Sequence, residues 1–263
     1  MFNWLALVHW LPLAALIVLF VLIMLSFELG QMIGERWRAK HHDTEIKGVG
    51  ALEAAVFGLL SLLIAFTFSG AVTRFEQRRD LTRQEAIAVS AAKSQIALLP
   101  AQSQSEMRTL LKNYVNVRLK LYNGLSDVGL AKTTLDQSHQ IQRALRYAAI
   151  EAVRQSDEVE LAMPILVKLD EIDAIQMTQD MARTLHPPYV IYAMLALLAI
   201  VCSLMSGFSI EQIKSRGLLH VLAFAFSTTL TFAVTVDLEA PRFGLIRIDS
   251  TDAPLAIVGR SLD

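Results

Sequence analysis

The stretch that decides the fold is ALEAAVFGLLSLLIAFTFSGAV, residues 51–72, whose one charged residue is Glu53. A helix needs about 20 predominantly apolar residues to cross a hydrocarbon core about 30 Å thick. The stretch meets that requirement, and it is followed at 73–83 by TRFEQRRDLTR, in which six residues are charged. This change from apolar to charged sequence predicts a helix that leaves a membrane near residue 72.

Three other segments, residues 5–29, 189–208 and 218–236, have the same apolar character and about the same length. They are rich in Leu, Ala and Ile, which suit helices, and they lack the alternation of apolar and polar residues that marks membrane strands. The mean hydropathy of +0.43 is also too high for a water-soluble domain of this size. The sequence therefore predicts an all-α protein with four transmembrane helices.

Residues 73–188 have helical periodicity and are expected to form an extramembrane bundle inserted between spans two and three. Because residues 71–99 contain no Gly or Pro, span two is expected to continue into water as one long helix. Asn123-Gly124 is expected to end the next helix, and Pro164 to separate the last two. The apolar positions that support these helices are Leu81, Val89, Ala92, Ile96, Leu99, Met107, Leu110, Leu111, Tyr114, Val117, Leu121, Ile141, Leu145, Ala148, Ala152, Ile165, Leu169, Ile172 and Ile175.

The same reasoning predicts the division of the chain into regions. His186-Pro187-Pro188 breaks the helical pattern just before the third span and is expected to mark the return to the membrane. Residues 31–50 are expected to form the loop between spans one and two. The predicted regions are residues 1–72 with spans one and two, 73–188 with the helical domain, 189–238 with spans three and four, and 239–263 as a C-terminal tail.

Charge and composition exclude several classes of protein. The 24 Lys and Arg residues nearly balance the 25 Asp and Glu residues, so no binding of nucleic acid is predicted. The single cysteine, Cys202, cannot form a disulfide or a cysteine metal site within one chain. His41 and His42 lack a third ligand at a suitable spacing, so no metal site is predicted. Since no enzyme or cofactor motif is present, we expect neither catalysis nor a cofactor.

Small and weakly polar residues lie every three or four positions along the second span. They are Ala51, Ala54, Gly58, Ser61, Ala65 and Ser69, and Thr73 extends the row toward water. One interpretation is close packing against another helix, because small residues allow backbones to approach each other in lipid. The other is a pore face, in which Phe66 and Phe68 form a hydrophobic constriction if they turn inward. The spacing alone leaves both interpretations open.

The charges that follow the second span predict a positive potential just outside the membrane. The basic residues nearest the span are Arg74, Arg78 and Arg79. Such a cluster concentrates anions at the mouth of a pore, and it also suits binding of phospholipid head groups. By the count of spans, Asp237 and Arg242 return to the same side of the membrane, so they are further candidates for charges at a pore mouth.

Two acidic residues, Glu28 and Glu53, lie at the ends of the first two spans that face away from the helical domain. An ionisable residue in lipid is expensive and by default suggests an ion pathway. Both carboxylates could instead reach the interface with water. A coupled transporter that uses one of them as a proton site is therefore one functional hypothesis.

A family resemblance rests on three motifs. Residues 58–69, GLLSLLIAFTFS, followed by RFEQRR at 74–79, resemble the bestrophin-like family of bacterial membrane proteins. The ending DLEAPRFGLIR at 237–247 is similar to the closing motif of that family, as is His186-Pro187-Pro188 before span three. The resemblance implies a pentameric, anion-conducting channel of the bacterial inner membrane, with a pore lined by span two and a cytoplasmic helical region.

These observations lead to one main hypothesis and a rival. The main hypothesis is a homo-oligomeric ion channel in contact with membrane lipids and inorganic ions, in which span two lines the pore. The rival is a non-conducting sensor or scaffold whose helical domain binds a partner. The positive-inside rule favours an external domain, because six basic residues in the loops on the opposite side outnumber three in the tail. The resemblance implies a cytoplasmic domain, and the arginines after span two offset the loop count, so we expect the domain in the cytoplasm.

Overall fold

The computed structural model describes residues 4–40, 49–123, 128–209, 215–239, 246 and 252–262. Every segment of regular secondary structure in these ranges is a helix. The helices are α1 (Trp4–Lys40), α2 (Val49–Ile96), α3 (Ala101–Asn123), α4 (Val128–Arg154), α5 (Val159–Ala162), α6 (Pro164–Thr184), α7 (Tyr189–Ser209), α8 (Ser215–Glu239) and α9 (Ala253–Arg260). Four of them, α1, α2, α7 and α8, are long and apolar enough to cross a membrane. The predicted all-α class with four spans is confirmed.

The prediction of a loop over residues 31–50 was wrong in its first half, because α1 continues to Lys40. Gln31 and Gly34 are buried on this continuation. The Arg38 guanidinium donates a hydrogen bond from Nη1 to the carbonyl oxygen of Phe208 at 2.9 Å. Polar residues after position 30 therefore extend the helix because they have partners on α7, which the sequence pattern did not reveal.

The chain divides into two compact units. The first contains residues 1–73 and 186–239, and the second contains residues 74–185 and 240–263. Helix α2 contributes its first part to one unit and its second part to the other. Below, the α2 extension means residues 74–96 of this helix.

In the first unit, α1 and α7 approach each other at glycines. A Cβ atom added to Gly30 would overlap the carbonyl oxygen of Leu204, and one added to Gly207 would overlap that of Phe27. Side chains larger than hydrogen therefore do not fit where the two backbones meet. This is the close contact that small residues permit between helices in lipid.

Two serine hydroxyls join the same pair of helices. Ser26 Oγ donates to the carbonyl oxygen of Ile200 at 2.8 Å, and Ser203 Oγ donates to that of Ile23 at 2.7 Å. Each bond leaves one helix and ends on the backbone of the other. The α1–α7 contact is thus fixed by hydrogen bonds as well as by shape.

The second unit has an apolar core built from the α2 extension, α3, α4 and α6. The expected core positions Val89, Ile96, Met107 and Leu111 are buried in it. Several boundaries also follow the prediction: α2 is one helix to Ile96, α3 ends at Asn123 and α6 begins at Pro164. The short helix α5 was not predicted.

Helix α9 lies in a region that the sequence indicated only as a tail. Leu255 in α9 is fully buried in the core of the second unit. A Cβ atom on Gly259 would come within 2.8 Å of Val115 Cγ1 on α3, so this glycine allows α9 to lie close to α3. The C-terminal residues 253–262 are therefore part of the helical domain.

Candidate pore helix and buried polar cluster

The row of small residues on α2 is exposed in the single chain. Gly58, Ser61, Ala65 and Ser69 all lie on the uncovered side of the helix. A Cβ atom added to Gly58 would meet nothing within 4 Å. The opposite side of α2 is covered, since Leu60 and its neighbours pack into the core of the first unit. Within the described part of one chain, the small residues therefore do not pack against another helix.

Phe66 and Phe68, which flank the row on the helix, are exposed as well. The exposed fraction is 66% for Phe66 and 37% for Phe68. Thr73 is exposed, and its hydroxyl donates to the carbonyl oxygen of Ser69 at 2.9 Å, which satisfies the donor within the helix. Helix α2 is also the least covered of the spans, with 11% of its apolar window buried against 28% for each of the other three.

The charges of the α2 extension fall into two groups. Arg79 pairs with Glu76 at 3.5 Å and Arg83 pairs with Asp80 at 3.4 Å, and all four side chains are well exposed. Exposed pairs of this kind contribute little to stability. Arg79 and Arg83 therefore place their positive charge at the surface of the second unit.

Arg78 has a different role from Arg79 and Arg83. Its Nε donates to the carbonyl oxygen of Ala182 at 3.2 Å, and its Nη2 donates to that of Leu185 at 3.1 Å. These carbonyls lie at the carboxyl end of α6, where backbone oxygens lack partners within the helix. Arg78 thus caps α6, while Arg74 is half-buried.

The remaining charged candidates lie on three different helices or outside the described residues. Glu28 is exposed on α1, and Glu53 is half-buried on α2 and accepts a hydrogen bond from Ser209 Oγ at 2.9 Å. Asp237 is half-buried near the end of α8. Three other candidates, Arg242, His41 and His42, lie outside the described residues.

A buried polar cluster in the second unit was missed by the sequence analysis. Glu85 on α2 is fully buried, and so are Tyr114 and Arg118 on α3. Glu85 Oε1 accepts hydrogen bonds from Arg118 Nε at 2.6 Å and from the Tyr114 hydroxyl at 2.7 Å. Its Oε2 accepts from Gln179 Nε2 of α6 at 3.0 Å, from Arg118 Nη2 at 3.2 Å and from the Tyr122 hydroxyl. One carboxylate therefore joins three helices.

The cluster is ionised at neutral pH. Burial opposes the charge on Glu85, but the nearby Arg118 guanidinium and the hydrogen bonds outweigh burial and lower the pKa of Glu85 to about 2. Burial and the Glu85 carboxylate raise the pKa values of Tyr114 and Tyr122, so both phenols stay neutral. The result is a buried ion pair surrounded by neutral donors.

A sequence signal for this cluster existed in the gaps of two apolar patterns. The apolar row of the α2 extension passes from Leu81 to Val89, and Glu85 lies halfway between them, on the same helical face. On α3 the row passes from Tyr114 to Leu121 through the position of Arg118. One helix thus has a single acid on its apolar face, and the other has a single base on its apolar face. Such a combination indicates that the two residues form a buried ion pair.

A surface groove of about 480 Å³ lies in the second unit between α4 and α6. Its polar residues include His139 and Asp180, whose Nε2 and Oδ2 atoms are 3.9 Å apart. In the described ranges, no three His, Cys, Asp or Glu residues come together as metal ligands. The groove therefore does not define a metal centre.

These observations define the class of protein first: an all-α integral membrane protein with an apolar four-helix part and a helical domain. The Bestrophin-like domain family matches residues 21–253. The chain therefore belongs to the bestrophin-like family, as the three sequence motifs predicted. None of the curated proteins is significantly similar to this chain in sequence.

Solved structures share the fold. Two crystal structures of mutants of a bacterial bestrophin homologue from Klebsiella pneumoniae are similar, with TM-scores of 0.71 and 0.72 and 16% identity. The first comparison covers 94% of this chain and 97% of that chain, and the second covers 95% and 96%. A structure of such a homologue solved by Zn-SAD phasing gives a TM-score of 0.68 at 16% identity over 94% of this chain and 95% of that one. At this identity the likeness establishes the fold.

Proposed function

We propose that the protein is a homo-oligomeric ion channel of the bacterial inner membrane in which the exposed side of α2 lines the pore. The observation that carries the proposal is the uncovered row of small residues on the least buried span. In an assembly of several copies around one axis, each copy contributes such a row to a narrow, weakly polar conduit. Gly58, Ser61, Ala65, Ser69 and Thr73 are the proposed pore-lining residues.

Phe66 and Phe68 are the proposed constriction. Both rings are exposed in the single chain, so they are available to face a conduit in the assembly. Rings that face a conduit of weakly polar residues form a hydrophobic barrier that conducts only when it is wetted. This assigns the gate of the channel to the second half of the span.

Anions are the proposed permeant ions. The exposed guanidinium groups of Arg79 and Arg83 lie on the α2 extension, just beyond the span, and Arg74 precedes them. Positive charge at a pore entrance raises the local concentration of anions. The bestrophin resemblance implies the same selectivity and a pentamer. Asp237 and Arg242 remain proposed charges at this mouth, whereas Arg78 is assigned to the capping of α6.

The sidedness and the regions belong to the same proposal. We place the helical domain, residues 73–188 together with residues 253–262 of the tail, in the cytoplasm, and residues 1–72 and 189–238 in the membrane. Membrane lipids, inorganic ions and other copies of the chain are the proposed partners. A protease added to sealed inverted and right-side-out vesicles would determine the side, because the cytoplasmic domain would be cleaved only in the inverted ones.

Reconstitution of the purified oligomer into planar bilayers tests conduction. Replacing both Ser61 and Ser69 by Leu narrows the proposed conduit, so current is expected to fall to background while the oligomer persists. The matched control is Ser227→Leu, at an exposed serine of α8, which is expected to retain current. A verified wild-type oligomer without current, or equal currents in the two variants, would refute the assignment of α2 to the pore.

The rival hypothesis of a non-conducting sensor predicts a different outcome for the same variants. If the small residues only join subunits, the double Leu variant would dissociate in detergent, as measured by light scattering coupled to size-exclusion chromatography. The transporter hypothesis predicts that Glu53→Gln or Glu28→Gln abolishes pH-dependent flux. Flux that keeps its pH dependence in both variants would exclude these carboxylates as proton sites.

A further inference from the structure

The buried side of the α2 extension consists largely of small side chains. Ala86, Ala88 and Ala92 are buried there, together with Val89 and Ile96. Alanine side chains interlock weakly with their neighbours, so shape alone defines the rotation of this helix less strongly than large side chains would. Another interaction is needed to hold the helix in one register.

Glu85 supplies that interaction. Both of its carboxylate oxygens are occupied, by donors from α3 on one oxygen and by donors from α3 and α6 on the other. Rotation of the α2 extension would break these bonds and leave an unpaired charge inside the domain. A single buried polar residue can specify the register of helices that pack together.

A second anchor lies two turns earlier on the same helix. Arg78 holds the carboxyl end of α6 through two carbonyl oxygens, and it is seven residues from Glu85. Seven residues correspond to about two helical turns, so both anchors lie on one side of the helix. Together they define which side of the α2 extension is buried.

The exposed arginines lie on another side of the same helix. At about 100° per residue, Arg83 is about 160° from Glu85 around the helix and Arg79 is about 120° away. A slip by one residue would rotate both guanidinium groups by about 100° and turn Arg83 toward the flank of the helix. The direction of Arg79 and Arg83 therefore depends on the Glu85 contacts.

We propose that Glu85, paired with Arg118, is a positioning residue that fixes the rotation of the α2 extension and thereby directs Arg79 and Arg83 outward. The part of this inference that concerns ion selection rests on the proposed channel function. Glu85 itself does not contact the permeating ion. It acts through the two arginines.

The test uses the full-length protein and the double variant Glu85→Leu/Arg118→Met, which replaces the ion pair by apolar side chains of similar volume. Such replacements of buried pairs commonly preserve folding, whereas removal of one partner leaves an unpaired charge. In a KCl gradient, the reversal potential of the double variant is expected to move toward zero as far as that of Arg79→Gln/Arg83→Gln. Glu106→Leu, at an exposed carboxylate of α3, is the matched control and is expected to leave the potential unchanged.

A direct measurement of register accompanies the electrical one. Arg83→Cys is labelled with a water-soluble maleimide in the background with the ion pair and in the background without it. Labelling is expected to be slower and biphasic without the pair, because the cysteine then samples more than one direction. An equal labelling rate in a folded oligomer overturns the positioning role, as does an unchanged reversal potential in the double variant.

The two proposals fail separately. Absence of current from the wild-type oligomer would refute the channel, while the labelling rates would still decide whether Glu85 fixes the register. If the double variant does not yield a folded oligomer, Tyr122→Phe removes one hydroxyl, which donates to Glu85 and accepts from Arg118 Nη2, and leaves the ion pair intact. It is expected to change the labelling of the cysteine in the same direction by a smaller amount, and unchanged labelling there would overturn the inference.

Discussion

Two regions of the first unit contain small residues at helical spacing, and their environments are opposite. On α1 and α7, Gly30 and Gly207 lie where two backbones touch, so that no side chain fits. On α2, Gly58 has open space around it, and the serines of the same row are exposed. The comparison shows that spacing of small residues indicates a surface capable of close approach, and that the partner decides whether the approach occurs.

Hydroxyl groups distinguish the two regions more clearly than the glycines do. Ser26 and Ser203 donate across the α1–α7 contact to the backbone of the other helix. On α2, Thr67 and Thr73 donate to carbonyl oxygens four residues earlier in their own helix. A hydroxyl that bonds within its helix remains compatible with water on that side, whereas one that bonds across a contact holds two helices together.

The strongest test of this comparison replaces a glycine in each region by leucine. Gly207→Leu is expected to destabilise the protein by about 3 kcal/mol or more, because the new side chain would overlap backbone that cannot move without separating α1 from α7. Gly58→Leu is expected to leave stability nearly unchanged and to reduce current. Thermal unfolding in detergent, followed by circular dichroism, measures the first effect, and equal melting of the two variants would remove the distinction.

Acid stability extends the comparison from packing to charge, since the second unit also contrasts a buried pair with exposed ones. The pKa of Glu85 is lowered from 4.5 to about 2, so its contribution is complete above pH 4.5 and is lost as pH falls toward 2. A shift of this size corresponds to stability on the order of 3 kcal/mol. Glu85 takes up its proton over the range from about pH 5 to about pH 2. Over this range, unfolding of the Glu85→Leu/Arg118→Met variant should therefore depend less on pH than unfolding of the wild type. Parallel pH dependence would contradict the buried pairing.

Removal of single hydroxyl groups tests the same comparison through smaller changes in stability. Ser203→Ala removes the bond to Ile23 and is expected to lower stability by about 0.6 kcal/mol, the average for polar contacts between helices in a membrane. Ser61→Ala, at an exposed position of α2, is the matched control and should change stability by less. Urea-assisted unfolding in mild detergent can resolve the pair, and a larger loss for Ser61→Ala would place a partner on α2.

The smallest expected effect is that of Gly58→Ala. Alanine has the higher helix propensity, by up to about 1 kcal/mol, and the added Cβ meets no atom within 4 Å. Stability is therefore expected to remain the same or to rise slightly. The same change at Gly30 should destabilise the protein, since its Cβ would overlap a backbone oxygen. Loss of stability at Gly58 comparable to that at Gly30 would show that α2 packs closely on another surface.

The sequence predicted the elements better than their partners. Length and hydropathy located the four spans, and the absence of Gly and Pro after position 70 predicted the long helix α2 correctly. The end of α3 at Asn123 and the start of α6 at Pro164 were also predicted correctly. These features depend on local backbone preferences and on transfer into lipid, which a single sequence records directly.

Features that depend on contacts between distant residues were not predicted. The pairing of Glu85 with Arg118 joins positions 33 residues apart, and the capping of α7 by Arg38 joins positions 170 apart. Patterns of hydrophobicity treat such residues as exposed because they are charged. The row on α2 was recognised, but its exposure could be established only once the neighbours of the helix were known.

The position of α9 in the chain has a consequence for biosynthesis. Leu255 and Leu262 complete a core whose other buried members precede α7, so two spans are translated between the first and last parts of that core. The helical domain can finish folding only after both later spans have been synthesised. A nascent chain that stalls or fails to insert those spans therefore presents an unfinished domain to the proteases that monitor protein production.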